Sequence, residues 1–62
     1  MDWNQFKKID PYLLVGLVNT ELRNHAESLN DFCRTNDIDQ MQLCARLETV
    51  NYQYNKEHNQ FR

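Results

Sequence analysis

The stretch IDQMQLCARLETV, Ile38–Val50, decides how the rest of the chain is read. Asp39, with Gln42 three residues on, marks a helix start, because a side-chain oxygen there can accept from the free amides of the first turn. Leu43 and Leu47, with Ile38 and Val50 at the ends, repeat at helical spacing and mark an inward face flanked by Met41 and Cys44. A helix is therefore expected from Asp39 to about Val50. Just before it, Ser28-Leu29-Asn30-Asp31 puts a capping hydroxyl three residues ahead of a carboxylate, a relative of the capping box. A short helix over Leu29–Thr35 would bury Leu29, Phe32 and Cys33, and Asn36 is the residue expected to end it in the left-handed conformation. Two helices joined by a tight turn make a helix-turn-helix, and Ile38–Val50 stands where such a protein would read DNA.

Further upstream, Asp10-Pro11 combines a cap with a proline at the first helical position, where no hydrogen bond is lost. The helix that follows should reach about His25. Leu14, Val15, Val18 and Leu22 form its core stripe, with Ala26 at the edge. Leu13 and Leu17 fall on a second apolar strip, beside Thr20 and Asn24. Asn19 and Arg23 lie off the core arc, and the planar guanidinium of Arg23 is expected to anchor the hairpin or a loop. His25, near the helix end, suits the negative end of the dipole. Residues 1–9 form an arm ahead of a domain spanning residues 10–62; Trp3, Phe6 and Ile9 recur in it at spacings of three.

Downstream the period changes. Asn51 offers a stop, Tyr52-Gln53-Tyr54 alternates, Asn55–Asn59 is polar, and Gln60-Phe61-Arg62 closes the chain. That pattern is a β-hairpin held by its aromatics, and two strands alone are marginal unless they pack on something. The fold class expected is mostly α: three helices in a helix-turn-helix-like arrangement with a C-terminal two-stranded hairpin in the place of a wing.

Sixty-two residues make one small domain with a modest core, for which apolar burial and ordering entropy nearly cancel. A disulfide, a metal or a partner often closes that gap. Cys33 and Cys44 are the only cysteines; no leader-like stretch opens the chain and YLLVGLV is too short to span a membrane, so free thiols and a cytoplasmic location are expected. Neither thiol shares a metal-ligand spacing with His25 or His58, no phosphate loop or nucleophile motif occurs, and no cofactor, metal or catalytic activity is expected. A partner is left as the remaining stabiliser.

The charge decides between two kinds of partner. Seven Lys and Arg against nine Asp and Glu give −2, whereas DNA binding rests on a basic face. Gln40, Gln42, Arg46 and Lys56 would carry any contact with a duplex, yet Asp39 and Glu48 outnumber the one cation of that helix. A DNA-binding regulator of winged helix-turn-helix type is thus the second reading. The first is a non-catalytic interaction or structural module, forming a homodimer or meeting another protein through Trp3, Phe6, Leu13 and Leu17. The arm either folds back over its own chain or crosses to a second copy.

DPYLLVGLVNTELR, SLNDFC and DIDQMQLCARLETVNYQYNKEHNQF together resemble a short bacterial family of unknown function, about sixty residues long, with a D-P opening motif and an N-Q-F closing one. Asp10, Pro11, Asn19, Leu22, Arg23, Asn59, Gln60 and Phe61 match its pattern, and Asn51 departs from a glycine common there. The resemblance implies a cytosolic protein with a helix-turn-helix-like core and brings no activity. It leaves the arm outside.

Overall fold

Three side-chain caps start the three α-helices of the computed structural model, which describes residues 3–62. Asp10 Oδ1 accepts from the Tyr12 amide at 3.1 Å and opens α1, Pro11–Asn24. Ser28 Oγ accepts from the Asp31 amide at 3.1 Å and opens α2, Leu29–Thr35; the Asp31 carboxylate in turn accepts from the Glu27 amide, one residue before the cap. Asp39 Oδ1 accepts from the Gln42 amide at 3.2 Å and opens α3, Gln40–Glu48. Each cap satisfies a donor that the helix itself cannot.

The turn joining α2 to α3 corrects the sequence reading by one residue. Asn36 keeps φ at −105°, and its Nδ2 donates back to Phe32 O at 2.9 Å. Asp37 takes the left-handed conformation instead, at φ 55°. Ile38 N then reaches Cys33 O at 2.9 Å, Asp37 N reaches Arg34 O at 3.4 Å, and Ile38 is buried. This is the Schellman pattern, in which the left-handed residue lies one position beyond the cap. The same pattern ends α3: Asn51 stands at φ 67°, as expected, and Tyr52 N returns to Leu47 O at 3.1 Å.

The N-terminal arm packs against the helices. Trp3–Lys8 forms a short 3₁₀ helix broken at Gln5. A 3₁₀ helix has three residues per turn, so the spacing of Trp3 and Phe6 puts both on one edge. Both are buried, and the Trp3 ring meets the Phe32 ring edge-on with centroids 5.0 Å apart. Arg46 Nη2 donates to Ile9 O at 3.0 Å and ties the end of the arm to α3. Within the described residues the arm thus packs on the core through Trp3 and Phe6 and is bonded to α3 at Ile9.

The hairpin is shorter than its alternation suggests. β1 is Tyr54–Asn55 and β2 is Gln60–Phe61, antiparallel, with Tyr54 opposite Phe61 and Asn55 opposite Gln60. Gln53 and Arg62 exchange two further backbone bonds, at 3.2 and 2.9 Å, while Tyr52 belongs to the end of α3. Asn59, at φ 52°, closes the four-residue turn. The Tyr54 and Phe61 rings meet at a tilt of 58°, with centroids 5.6 Å apart. The architecture is mostly helical with a C-terminal two-stranded hairpin. Leu14, Val18 and Leu22 of α1 sit at its centre, against Leu43 and Leu47 of α3, Leu29 of α2 and Phe61 of the hairpin.

Candidate interaction surfaces

The hairpin is fastened to α1 by amides, not by Arg23. Asn19 Nδ2 donates to Phe61 O at 3.1 Å, and Phe61 N donates to Asn19 Oδ1 at 2.7 Å. Gln60 Nε2 donates to Asn19 O at 2.9 Å. Asn59 Nδ2 donates at 3.0 Å to Leu22 O, a carbonyl in the last turn of α1, and at 3.2 Å to Ala26 O just beyond the helix. Tyr54 Oη donates to Asn59 Oδ1 at 2.6 Å and accepts from the first amide of α2, Leu29 N, at 3.2 Å. Arg23 is exposed, beside Leu22 and the hairpin residues His58, Asn59 and Gln60. Position i+4 from Asn19 faces out over the last turn, while Asn19 itself is within reach of β2. Asn19, Asn59, Gln60 and Phe61 thus have structural tasks, as do the cap Asp10 and the helix-starting Pro11. His25 also has a partner: its Nδ1 lies 2.9 Å from Glu21 Oε2, one turn back on α1.

Of the four residues read as an apolar contact strip, the structure separates two from the others. Trp3 and Phe6 are 7% and 5% exposed and lie inside their own chain, so they offer no surface. Leu17 is half-buried and packs against the core. Leu13 stands out at 59% exposure, and its neighbour Tyr12, absent from the expected strip, at 65%. One turn on, Gly16 is exposed, with open space where a Cβ would project. Thr20 is exposed a further turn along, its hydroxyl donating to Gly16 O at 2.9 Å. The outward side of α1 therefore presents a ring, an isobutyl group and a bare stretch of backbone. From Pro11 to Thr20 it holds no charged residue.

The residues proposed for DNA do not come together as one face. Gln40 and Gln42 are exposed on α3, and Met41 between them is 83% exposed. Arg46 is turned toward Ile9 O and half-buried. Gln42 and Arg46 share a shallow hollow of about 380 Å³ with Lys7, Ala45 and Thr49. Lys56 lies in the exposed hairpin turn and does not line that hollow.

Cys33 is buried and Cys44 half-buried, both unpaired. Burial pushes the Cys33 thiol up to about 11, with smaller contributions from the charges of Cys44 and Asp39; burial and then Glu48 raise Cys44. Among the described residues, no group of three His, Cys, Asp or Glu side chains is placed to hold a metal ion. No helix among them is long and apolar enough to cross a membrane.

Residues 8–61 match a family described as Domain of unknown function (DUF4250). No curated protein and no solved structure matches the chain.

Proposed function

We propose that this chain, which belongs to the Domain of unknown function (DUF4250) family, is a non-catalytic interaction module that pairs with a second copy of itself through the outward face of α1. The observation that supports this reading is the pair Tyr12 and Leu13, 65% and 59% exposed in a chain that buries most of its other large apolar side chains. A monomer gains nothing from holding a tyrosine ring and a leucine side by side in water. A partner surface that covers a leucine recovers about 2 kcal/mol at ordinary burial coefficients.

The neutrality of the face supports a like partner. Two copies of a chain carrying −2 repel each other unless their contact avoids charge, and α1 offers an uncharged run over Pro11–Thr20. A twofold contact brings the same patch against itself, which a neutral apolar face tolerates and a one-signed face does not. Gly16, open at the centre, lets a second helix approach closely. A mid-helix glycine otherwise costs about 1 kcal/mol relative to alanine.

Sedimentation equilibrium over a range reaching high micromolar concentration tests the proposal. The expected result is a monomer–dimer equilibrium that Leu13→Glu abolishes without altering the far-ultraviolet spectrum. A single species at the monomer mass over the whole range would sink it. Gly16→Ala adds a second reading: it should raise the stability of dilute protein while weakening association.

A further inference from the structure

The hollow between the 3₁₀ helix and α3 is built differently from the α1 face and shares no residue with it. Gln42, Ala45, Arg46 and Thr49 follow the i, i+3, i+4, i+7 rhythm of one helix side, and Lys7 closes the hollow from the arm. Its lining is mainly apolar, with Ala45 and Thr49 among the residues that form it. The Thr49 hydroxyl is taken up by Arg46 O, to which it donates at 2.6 Å. At the rim stand an ammonium and a guanidinium in a chain whose net charge is −2. Glu48, the acidic residue of α3, acts on Cys44 and so belongs to a neighbouring side of the helix.

Arg46 supplies the second observation. One amino group is held by Ile9 O at 3.0 Å, which fixes the guanidinium against the arm. Its Nε is sealed from solvent and has no acceptor. That nitrogen is closed to a ligand in the hollow, so any contact falls to the amino groups of the fork. A planar guanidinium matches the two oxygens of a carboxylate better than a single point charge does.

We infer that this hollow binds an acidic peptide segment of a partner protein, with a carboxylate side chain between Lys7 and Arg46 and an adjacent apolar side chain on Ala45 and Thr49. The apolar lining and the paired cations select such a segment over a polyphosphate backbone, which needs a row of cations. Only two line this hollow. The Gln42 amide gives the segment's backbone a hydrogen-bonding group at the exposed end.

A nuclear magnetic resonance titration of the full chain tests this with two blocked tripeptides, Leu-Glu-Leu and Leu-Gln-Leu, and with inorganic phosphate and a short DNA duplex as further arms. The glutamate peptide should shift the amides of Lys7, Gln42, Ala45, Arg46 and Thr49, binding about tenfold more tightly than its glutamine counterpart, the scale of one charge-assisted contact. Lys7→Gln, an exposed change, should weaken that peptide about three- to fivefold, in the range of a surface ion pair. Arg46→Lys should weaken it further by removing the planar fork. Leu13→Glu should leave it unchanged, which separates this site from the α1 face. Equal binding of both peptides, no shift at these five amides, or tighter capture of phosphate or duplex at the same place would overturn the inference.

Discussion

Asn19 and Phe61 are bonded as though they were opposite residues of a β-ladder: the side-chain amide of one meets both backbone groups of the other, at 3.1 and 2.7 Å. A helix side chain thus supplies the third edge that a two-stranded hairpin lacks. Removing it strands a backbone N–H and a C=O in a half-buried seam. Asn19→Ala is expected to lower stability by about 2–3 kcal/mol, the sum of two lost bonds with partners left unpaired. Arg23→Ala, one turn along, should stay within about 0.5 kcal/mol, as exposed substitutions do. Urea unfolding followed by circular dichroism compares the two directly, and equal effects would show that Asn19 does not hold the hairpin.

Two asparagines share a left-handed backbone and differ in everything else. Asn51 stands at φ 67° on the surface, whereas Asn59 at φ 52° also bonds Leu22 O, Ala26 O and the Tyr54 hydroxyl. Glycine relieves the backbone at both sites, but at Asn59 it removes three bonds as well. Asn51→Gly should be neutral or stabilise by up to about 0.5 kcal/mol, and Asn59→Gly should destabilise by about 2 kcal/mol. The melting temperatures of the two variants should therefore move in different directions or by clearly different amounts.

These two residues also mark how far the sequence could be read. The caps at Asp10, Ser28 and Asp39 were legible because a cap is local: one side chain reaches an amide two or three residues away. The helix stripes and the hairpin were legible for the same reason. Asn19, Asn59 and Gln60 bond across 33 to 42 residues of chain, and no spacing rule announces such partners. Asn36 and Asp37 show the local limit, since both tolerate the left-handed region and only the bonds of the finished turn choose between them. Among candidate surface residues, Leu13 is legible because helical spacing puts it off the core stripe. Tyr12 is not, because a tyrosine at the start of a helix can fold inward as readily as outward.

The arm yields a sharper test. Trp3 is 7% exposed and packs edge-on against Phe32, so it acts as a core residue of its own chain. Trp3→Ala should cost about 3 kcal/mol, the low end for a buried aromatic. That is a large part of the stability of so small a domain. Trp3→Phe should lose about half as much, because a smaller ring still meets Phe32. Neither variant should change the association constant of molecules that remain folded. If Trp3→Phe dissociated a dimer while leaving urea unfolding of the monomer untouched, the arm would belong to an interface.

The thiols predict a pH dependence with a definite sign. Burial raises Cys33 from 9.0 to about 11, so the folded chain keeps its proton where the unfolded chain has released it. Between these values the unfolded state binds fewer protons, and stability falls as pH rises. Cys44 shifts in the same direction, through burial and then the charge of Glu48, and adds to the loss. Stability should therefore be level below about pH 8 and decline through 9 to 11, a decline that Cys33→Ala and Cys44→Ala together should flatten. The same shift makes Cys33 a poor nucleophile near neutrality, because only the thiolate attacks. Iodoacetamide should label half-buried Cys44 before Cys33, and labelling of Cys33 should track global unfolding in urea. Rapid labelling of Cys33 in the folded protein at neutral pH, or stability that rises from pH 8 to 10, would contradict the burial that sets both effects.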